Sequence, residues 1–194
     1  CKKLMPLIHL PVQSGSNKIL REMNRKHTVE QYIDIIEKIK KIKPNIKFSS
    51  DFIIGYPGES QEDFNKTVEL MSNIKFINSY SFIYSPRPGT PASNLTNVNL
   101  KIAKKRLNDF QLVAEKIKTS YRKNLVNKIS TVLFENKTEN GNKYFGRDEY
   151  FNSIIVDSTE NLVGKIKNVK ISDISGNTLF GEIISNLNEK NYAA

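Results

Sequence analysis

The sequence predicts an α/β protein in two parts: a parallel strand–helix region over residues 1–129, and a small β-barrel of the OB-like kind over residues 130–194. Three observations carry the prediction. Three strand–loop–helix repeats follow one another from residue 7 onward, the pattern of a parallel sheet with helical crossovers. A stretch over residues 99–129 then keeps apolar residues at three-to-four spacing with no Pro or Gly. Beyond it, five short strand-like runs are separated by turn residues, the spacing of a small barrel.

Each element has a local reason. Residues 7–10, Leu-Ile-His-Leu, read as a short buried strand running into Pro11-Val12-Gln13-Ser14-Gly15-Ser16. Ser16 caps a helix over residues 17–24, and Thr28 with Gln31 forms a capping box for a second helix. That helix carries Ile33, Ile36, Ile39 and Ile42 at helical spacing until Lys43-Pro44 stops it. The central signal is Ser49-Ser50-Asp51-Phe52-Ile53-Ile54-Gly55-Tyr56-Pro57-Gly58-Glu59-Ser60, a strand that stops at Gly55, turns, and enters a helix capped by Ser60 and Asp63. The helix runs to about residue 75, with Phe64, Val68, Leu70 and Met71 as its apolar stripe. A third alternating run, residues 79–84, breaks into Ser85-Pro86-Arg87-Pro88-Gly89-Thr90-Pro91-Ala92. The spacing predicts one long helix, or two, over residues 99–129. Barrel strands are expected at residues 131–135, 143–147, 153–156, 164–174 and 178–184, with turns at Asn140-Gly141-Asn142 and Ser175-Gly176-Asn177.

Composition bounds the function. At 194 residues with 38% hydrophobic and 26% charged content, the chain can bury a core. No apolar run approaches the ~18 residues of a membrane span and no signal-peptide core follows Cys1, so no membrane partner and a cytoplasmic location are expected. Cys1 is the single cysteine, which excludes an intramolecular disulfide and a cysteine-only metal or iron–sulfur site built by this chain alone. It reads as an inert thiol. Net charge is +10, carried unevenly: residues 1–129 have 23 Lys/Arg against 11 Asp/Glu, residues 130–194 have 7 against 9. Lys101, Lys104, Lys105, Arg106, Lys116, Lys118, Arg122, Lys123 and Lys128 crowd the long helix, which suits a polyanion or a solvated face.

The strand-end loops are where chemistry belongs in such folds. Gln13 and Ser14 can hydrogen-bond a small polar ligand, Asp51 can accept from an amine or hydroxyl, and Arg87 sits between prolines in a stiff loop suited to a carboxylate or phosphate. No nucleophile–base pair stands out and no catalytic residue is assigned. His9, inside an apolar strand, is expected to be a satisfied core histidine, and His27 to be solvated or functional. Neither a P-loop nor a dinucleotide fingerprint is present.

Four blocks in order, His9-Leu10-Pro11-Val12-Gln13-Ser14-Gly15-Ser16, Met23-Asn24-Arg25-Lys26-His27-Thr28, residues 50–59 and residues 80–92, resemble the radical S-adenosylmethionine methylthiotransferases, most closely their MiaB branch. The resemblance covers essentially the whole chain. It implies a partial TIM-type (βα) barrel followed by a TRAM domain, an RNA-binding barrel. It implies an enzyme that converts N6-isopentenyladenosine beside the tRNA anticodon to its 2-methylthio derivative, using S-adenosylmethionine and two 4Fe-4S clusters. Gln13-Ser14-Gly15-Ser16 favours the tRNA-modifying branch over the branch that modifies a ribosomal protein.

By the same resemblance, Gln13, Ser14, Gly15, Asp51, Gly55 and Ser85 line the S-adenosylmethionine pocket. Arg25 and Arg87 face cofactor, substrate or tRNA phosphate, with the anticodon stem-loop as partner; the charge run on the long helix adds Lys104, Lys105 and Arg106 as residues expected to face tRNA. The family's Cys-x-x-x-Cys-x-x-Cys segment lies before the matched region, so no metal ligand is expected here. The chain reads as the C-terminal part of such an enzyme, inactive alone, whose partner is the missing N-terminal half. From a different class, a noncatalytic RNA-binding module fits the barrel and basic helix. In the barrel, Lys143, Arg147, Lys165, Lys167 and Lys170 are its candidate cations and Tyr144, Phe145 and Tyr150 its candidate stacking rings.

Overall fold

The computed structural model describes residues 4–139 and 141–184. Cys1 and Asn140 of the expected turn lie outside them. The chain forms two compact units, one of residues 6–119 and one built from residue 120 onward.

In the first unit, β1 (Leu7–His9), β2 (Lys47–Ile54) and β3 (Asn78–Ile83) form a parallel sheet in that order. His9 pairs with Ser49, Asp51 with Tyr80 and Ile53 with Phe82. The crossovers are α1 (Asn17–Glu22) with α2 (Val29–Ile42), and α3 (Gln61–Ile74). Their caps are those the sequence predicts: Ser16 accepts from Ile19 N–H, and Thr28/Gln31 and Ser60/Asp63 form complete capping boxes. Phe48, Phe52 and Ile54 point to the helical side of the sheet, where Phe64, Met71, Phe76 and Phe110 meet them. The Phe52 ring lies 5.5 Å from Phe76 and 4.7 Å from Phe110. Two layers of apolar side chains therefore hold one face of the sheet. The other face, with His9, Asp51, Tyr80 and Phe82, is open.

After a short 3-10 turn (Pro91–Asn94), α4 (Leu100–Lys123) packs Ala103, Leu107, Phe110, Val113, Ala114 and Ile117 toward the first unit's core. The helix is shorter than its apolar spacing predicts. Residues 124–128 are turns, with Asn127 in the left-handed region (φ 67) and its N–H on the Ile171 carbonyl. The chain must reverse there because Ile129 already pairs with Lys170. Tertiary pairing overrides helical propensity.

The second unit is a closed five-strand barrel in the order β4 (Ile129–Lys137), β5 (Lys143–Asp148), β6 (Ser153–Asp157), β8 (Thr178–Ile183), β7 (Ile166–Ser175). All neighbours are antiparallel except β6 and β8. Register shifts between Phe134 and Asn136 and between Ile171 and Asp173 supply the local bending that closure needs. Val132, Phe134, Tyr144, Ile154, Val156, Leu162, Val169, Ile171 and Leu179 fill the interior. Among the described residues no helix is long and apolar enough to cross a membrane.

Candidate functional site

The open face of the parallel sheet brings together side chains with little structural reason to be there. Tyr80 and Phe82 are 57% and 59% exposed, on adjacent outward positions of β3. His9 is exposed, not in the core as its apolar strand suggests: its Nδ1 is 2.9 Å from Ser49 Oγ, its Nε2 is 3.4 Å from Asp51 Oδ1, and its ring meets Tyr80 edge-on at 6.1 Å. Asp51 keeps a 32% exposed side chain. A carboxylate, an imidazole and two aromatic faces thus share one surface, apolar enough to hold a ring and polar enough to orient it.

The loop after β1 is only partly available. Gln13 is buried at φ 77, a strained conformation for a non-glycine, and is fixed by a bridge to Phe52. Ser14 and Gly15, expected to meet a ligand, turn instead onto α3. Ser14 Oγ is buried 3.3 Å from Thr67 Oγ1 and accepts from Ser16 N–H, and Gly15 N–H donates to Thr67 Oγ1. A Cβ on Gly15 would stand 2.4 Å from the Lys66 carbonyl oxygen. Both residues take part in helix–sheet packing. Gly15→Ala is expected to cost at least about 2 kcal/mol, because only backbone movement relieves the overlap, checked by urea unfolding.

The turn after β2 is roofed by α4. Gly55 adopts φ 73, and a Cβ there would stand 2.9 Å from Ala103 Cβ, so its small size admits α4. Gly55 N–H donates to Glu59 Oε2 at 3.0 Å, and Arg106 Nη1 donates to the same oxygen at 2.9 Å and to the Glu59 carbonyl at 3.0 Å. The Glu59 and Arg106 side chains are 1% and 9% exposed. Arg106, expected to face tRNA with Lys104 and Lys105, is therefore turned inward. Burial pushes the Glu59 carboxyl up, opposed by the Gly55 N–H and by Arg106. Its Oε1 is buried with no hydrogen-bond partner among the described residues, as is the Tyr84 hydroxyl after β3.

Asp63, at the start of α3, ties this turn to the loop after β1. Burial raises its carboxyl, but Ser16 Oγ at 2.6 Å, Ser60 N–H at 3.0 Å, Ser60 Oγ at 2.8 Å and Lys18 at 3.4 Å outweigh that and hold it at about 2. A depressed carboxylate stabilises the fold above its unfolded value near 4 and loses that contribution as pH falls toward 2. Asp63→Asn is expected to be about 2 kcal/mol less stable at pH 6, with the gap to the native chain closing between pH 4 and 2 in denaturation curves.

Ser85, Arg87 and Arg25 are exposed; the Arg87 carbonyl accepts from the Thr90 amide and hydroxyl. Lys104 and Lys105 are exposed on α4, Lys105 paired with Asp109 at 2.6 Å. Of two concavities of about 550 and 560 Å³, the first, between β3 and α4, takes in Tyr80 and Phe82, and the second, between α1, α2 and α3, takes in Gly15; Gln13, Asp51 and Gly55 line neither. His9, Tyr80 and Phe82 are the site features the sequence reading did not assign. Their shared face follows from the register of β1, β2 and β3, which the sequence does not show.

The chain is similar to known proteins in both of its parts. Residues 2–71 match the Radical SAM superfamily and residues 123–184 match the TRAM domain. The chain is 53% identical over 191 residues to the tRNA-2-methylthio-N(6)-dimethylallyladenosine synthase of Pelagibacter ubique (strain HTCC1062), covering 97% of this chain and 42% of that protein. With the protein of the same name from Wolbachia sp. subsp. Brugia malayi (strain TRS), identity is 46% over 182 residues, covering 92% and 41%. The chain thus spans about two-fifths of the length of the curated relatives it matches. Among solved structures, the Escherichia coli coproporphyrinogen III oxidase (HemN), titled a radical SAM enzyme, aligns with a TM-score of 0.50 at 14% identity over 74% of this chain and 41% of that one. At that identity the likeness concerns the fold.

Proposed function

We infer, from a chain that joins a radical SAM region to a TRAM domain in one continuous match to tRNA methylthiotransferases, that it is the C-terminal part of such an enzyme, acting in the cytoplasm on tRNA. The reaction is 2-methylthiolation of N6-isopentenyladenosine beside the anticodon. The observation that carries the reading at the site is the open sheet face, with Asp51 and His9 between the exposed rings of Tyr80 and Phe82.

The residues fit S-adenosylmethionine. An accessible carboxylate accepts from an ammonium or ribose hydroxyl, aromatic faces stack on adenine, and the orphaned Tyr84 hydroxyl marks the adjoining strand end as a place where a hydrogen bond is left to be made. Bound there, the cofactor supplies the radical chemistry of its superfamily. The chain's own part is to bind and orient: Asp51 holds the polar end, His9 fixes Asp51, Tyr80 and Phe82 exclude water, and Ser85 edges the site. Arg25 and Arg87 take phosphate, and Lys104 and Lys105 extend the basic surface toward the anticodon stem. One cysteine cannot provide the three thiolates of a 4Fe-4S cluster, so the cluster ligands belong to the rest of the enzyme.

Co-expression of this chain with the cysteine-bearing half in cells lacking the modification tests the reading by nucleoside mass spectrometry of tRNA. The expected result is 2-methylthio-N6-isopentenyladenosine from the pair and from neither half alone. Unchanged N6-isopentenyladenosine with a folded, iron-loaded pair would overturn it and leave the noncatalytic RNA-binding module.

A further inference from the structure

The turn joining β5 to β6 holds a phenylalanine in a conformation that phenylalanine resists. Phe151 has φ 61 and is 61% exposed. For a bulky side chain the left-handed region is a steric outlier, and an exposed ring adds the cost of wetting apolar surface. Glycine or asparagine would satisfy the same turn without either cost. Nothing in the barrel core repays them, since Phe151 belongs to no buried cluster among the described residues.

The turn is nevertheless rigid. Buried Asp148 accepts from the Tyr150 and Asn152 amides at 2.9 Å each and from Asn152 Nδ2 at 2.9 Å, while Phe151 N–H donates to the Asp148 carbonyl at 3.0 Å. Asp148 and Asn152 are 6% and 4% exposed. An over-determined turn that presents a strained, wetted ring is a device for presenting that ring.

The rest of the barrel says what the ring meets. Tyr144 is buried, Phe145 lies under the Arg147 guanidinium at 5.2 Å, and Tyr150 packs edge-on against Tyr121 at 6.4 Å. The aromatic residues the sequence offers for stacking are thus occupied, and Phe151 is the mostly exposed aromatic ring among the barrel's described residues. The other exposed apolar side chains there, Ile129, Leu133, Val163 and Ile166, are aliphatic. Exposed Glu149 beside Phe151 disfavours a phosphate, and residues 130–194 carry more acidic than basic side chains, so a polyanion gains little from charge here. A base face is neutral and stacks on any open ring.

We propose that Phe151 is a stacking platform for an unpaired nucleobase of RNA. The assignment rests on the RNA-binding reading given above. Fluorescence anisotropy of the 194-residue chain with a fluorescein-labelled, unstructured oligoribonucleotide tests it, alongside the same label on duplex RNA. Phe151→Gly is expected to melt at the same temperature as the native chain or higher, because strain is relieved. It is expected to bind the single strand roughly 5- to 100-fold more weakly, with an unchanged salt slope and unchanged duplex binding. Phe151→Trp should bind within about threefold of the native chain. Equal single-strand affinity for Phe151→Gly, an equal loss on duplex, or a lowered melting temperature would overturn the platform. No RNA binding by the native chain would instead overturn the reading beneath it.

Discussion

Arg106→Ala is expected to lower stability by about 3–5 kcal/mol, the largest effect of any single substitution on the surface of α4. Among the described residues the Arg106 guanidinium is the one cation bonded to the buried Glu59 carboxylate, and it also donates to the Glu59 carbonyl and to Gln61 Oε1. Removing it leaves a 1% exposed charge with only the Gly55 amide and strips the cation from above the Phe64 ring, 5.7 Å away. The sign with pH follows. Burial already raises the Glu59 carboxyl, so without Arg106 the folded chain favours the protonated form, and the deficit shrinks as pH falls. Glu59→Gln combined with Arg106→Met should recover most of the loss, because no buried charge remains. Urea unfolding followed by circular dichroism at pH 7 and pH 5 measures both. A loss below about 1 kcal/mol would place Arg106 with surface cations and restore it to the tRNA-facing group.

The second large effect is on ligand binding. In the full-length enzyme, Asp51→Ala is expected to weaken S-adenosylmethionine binding by roughly 10- to 100-fold, the scale of losing charge-assisted hydrogen bonds. Its melting temperature should move by no more than about 2 °C, because Asp51 is part-exposed and its structural partner is His9 at 3.4 Å. His9→Ala should weaken binding less, about 3- to 10-fold, by releasing the orientation of Asp51 rather than removing the acceptor. Calorimetric titration beside thermal melts separates the two roles. Unchanged affinity in Asp51→Ala would remove the carboxylate from the site.

What was legible in the sequence was what local chemistry dictates. Ser16, Thr28/Gln31 and Ser60/Asp63 announced three helices, Lys43-Pro44 ended one, and five short runs announced the barrel. The placement of side chains about a parallel strand was not legible. Strands in parallel sheets carry apolar residues on both faces, so the apolar neighbours of His9 gave no sign that it pointed outward. Its pairing with Ser49, and that of Asp51 with Tyr80, is a tertiary fact. Arg106 was misread among lysines, although three-to-four spacing from Ala103 to Phe110 already set it on the buried stripe. Gly15 and Gly55 read as ligand loops because small residues at strand ends serve ligands and helices alike, and their close packing on Lys66 and Ala103 was not legible from the chain. Phe151 gave no sequence signal, since its strain exists only once Asp148 has built the turn.

The claim that the open face of β1, β2 and β3 is the wall of the cofactor pocket has a direct measurement. An S-adenosylmethionine analogue bearing an azido group on adenine, irradiated with the full-length enzyme and mapped by peptide mass spectrometry, labels whatever lies against the base. The account predicts adducts within residues 7–13, 49–57 and 78–85, lost when unlabelled cofactor competes. Competable label confined to peptides outside residues 6–119 would contradict it.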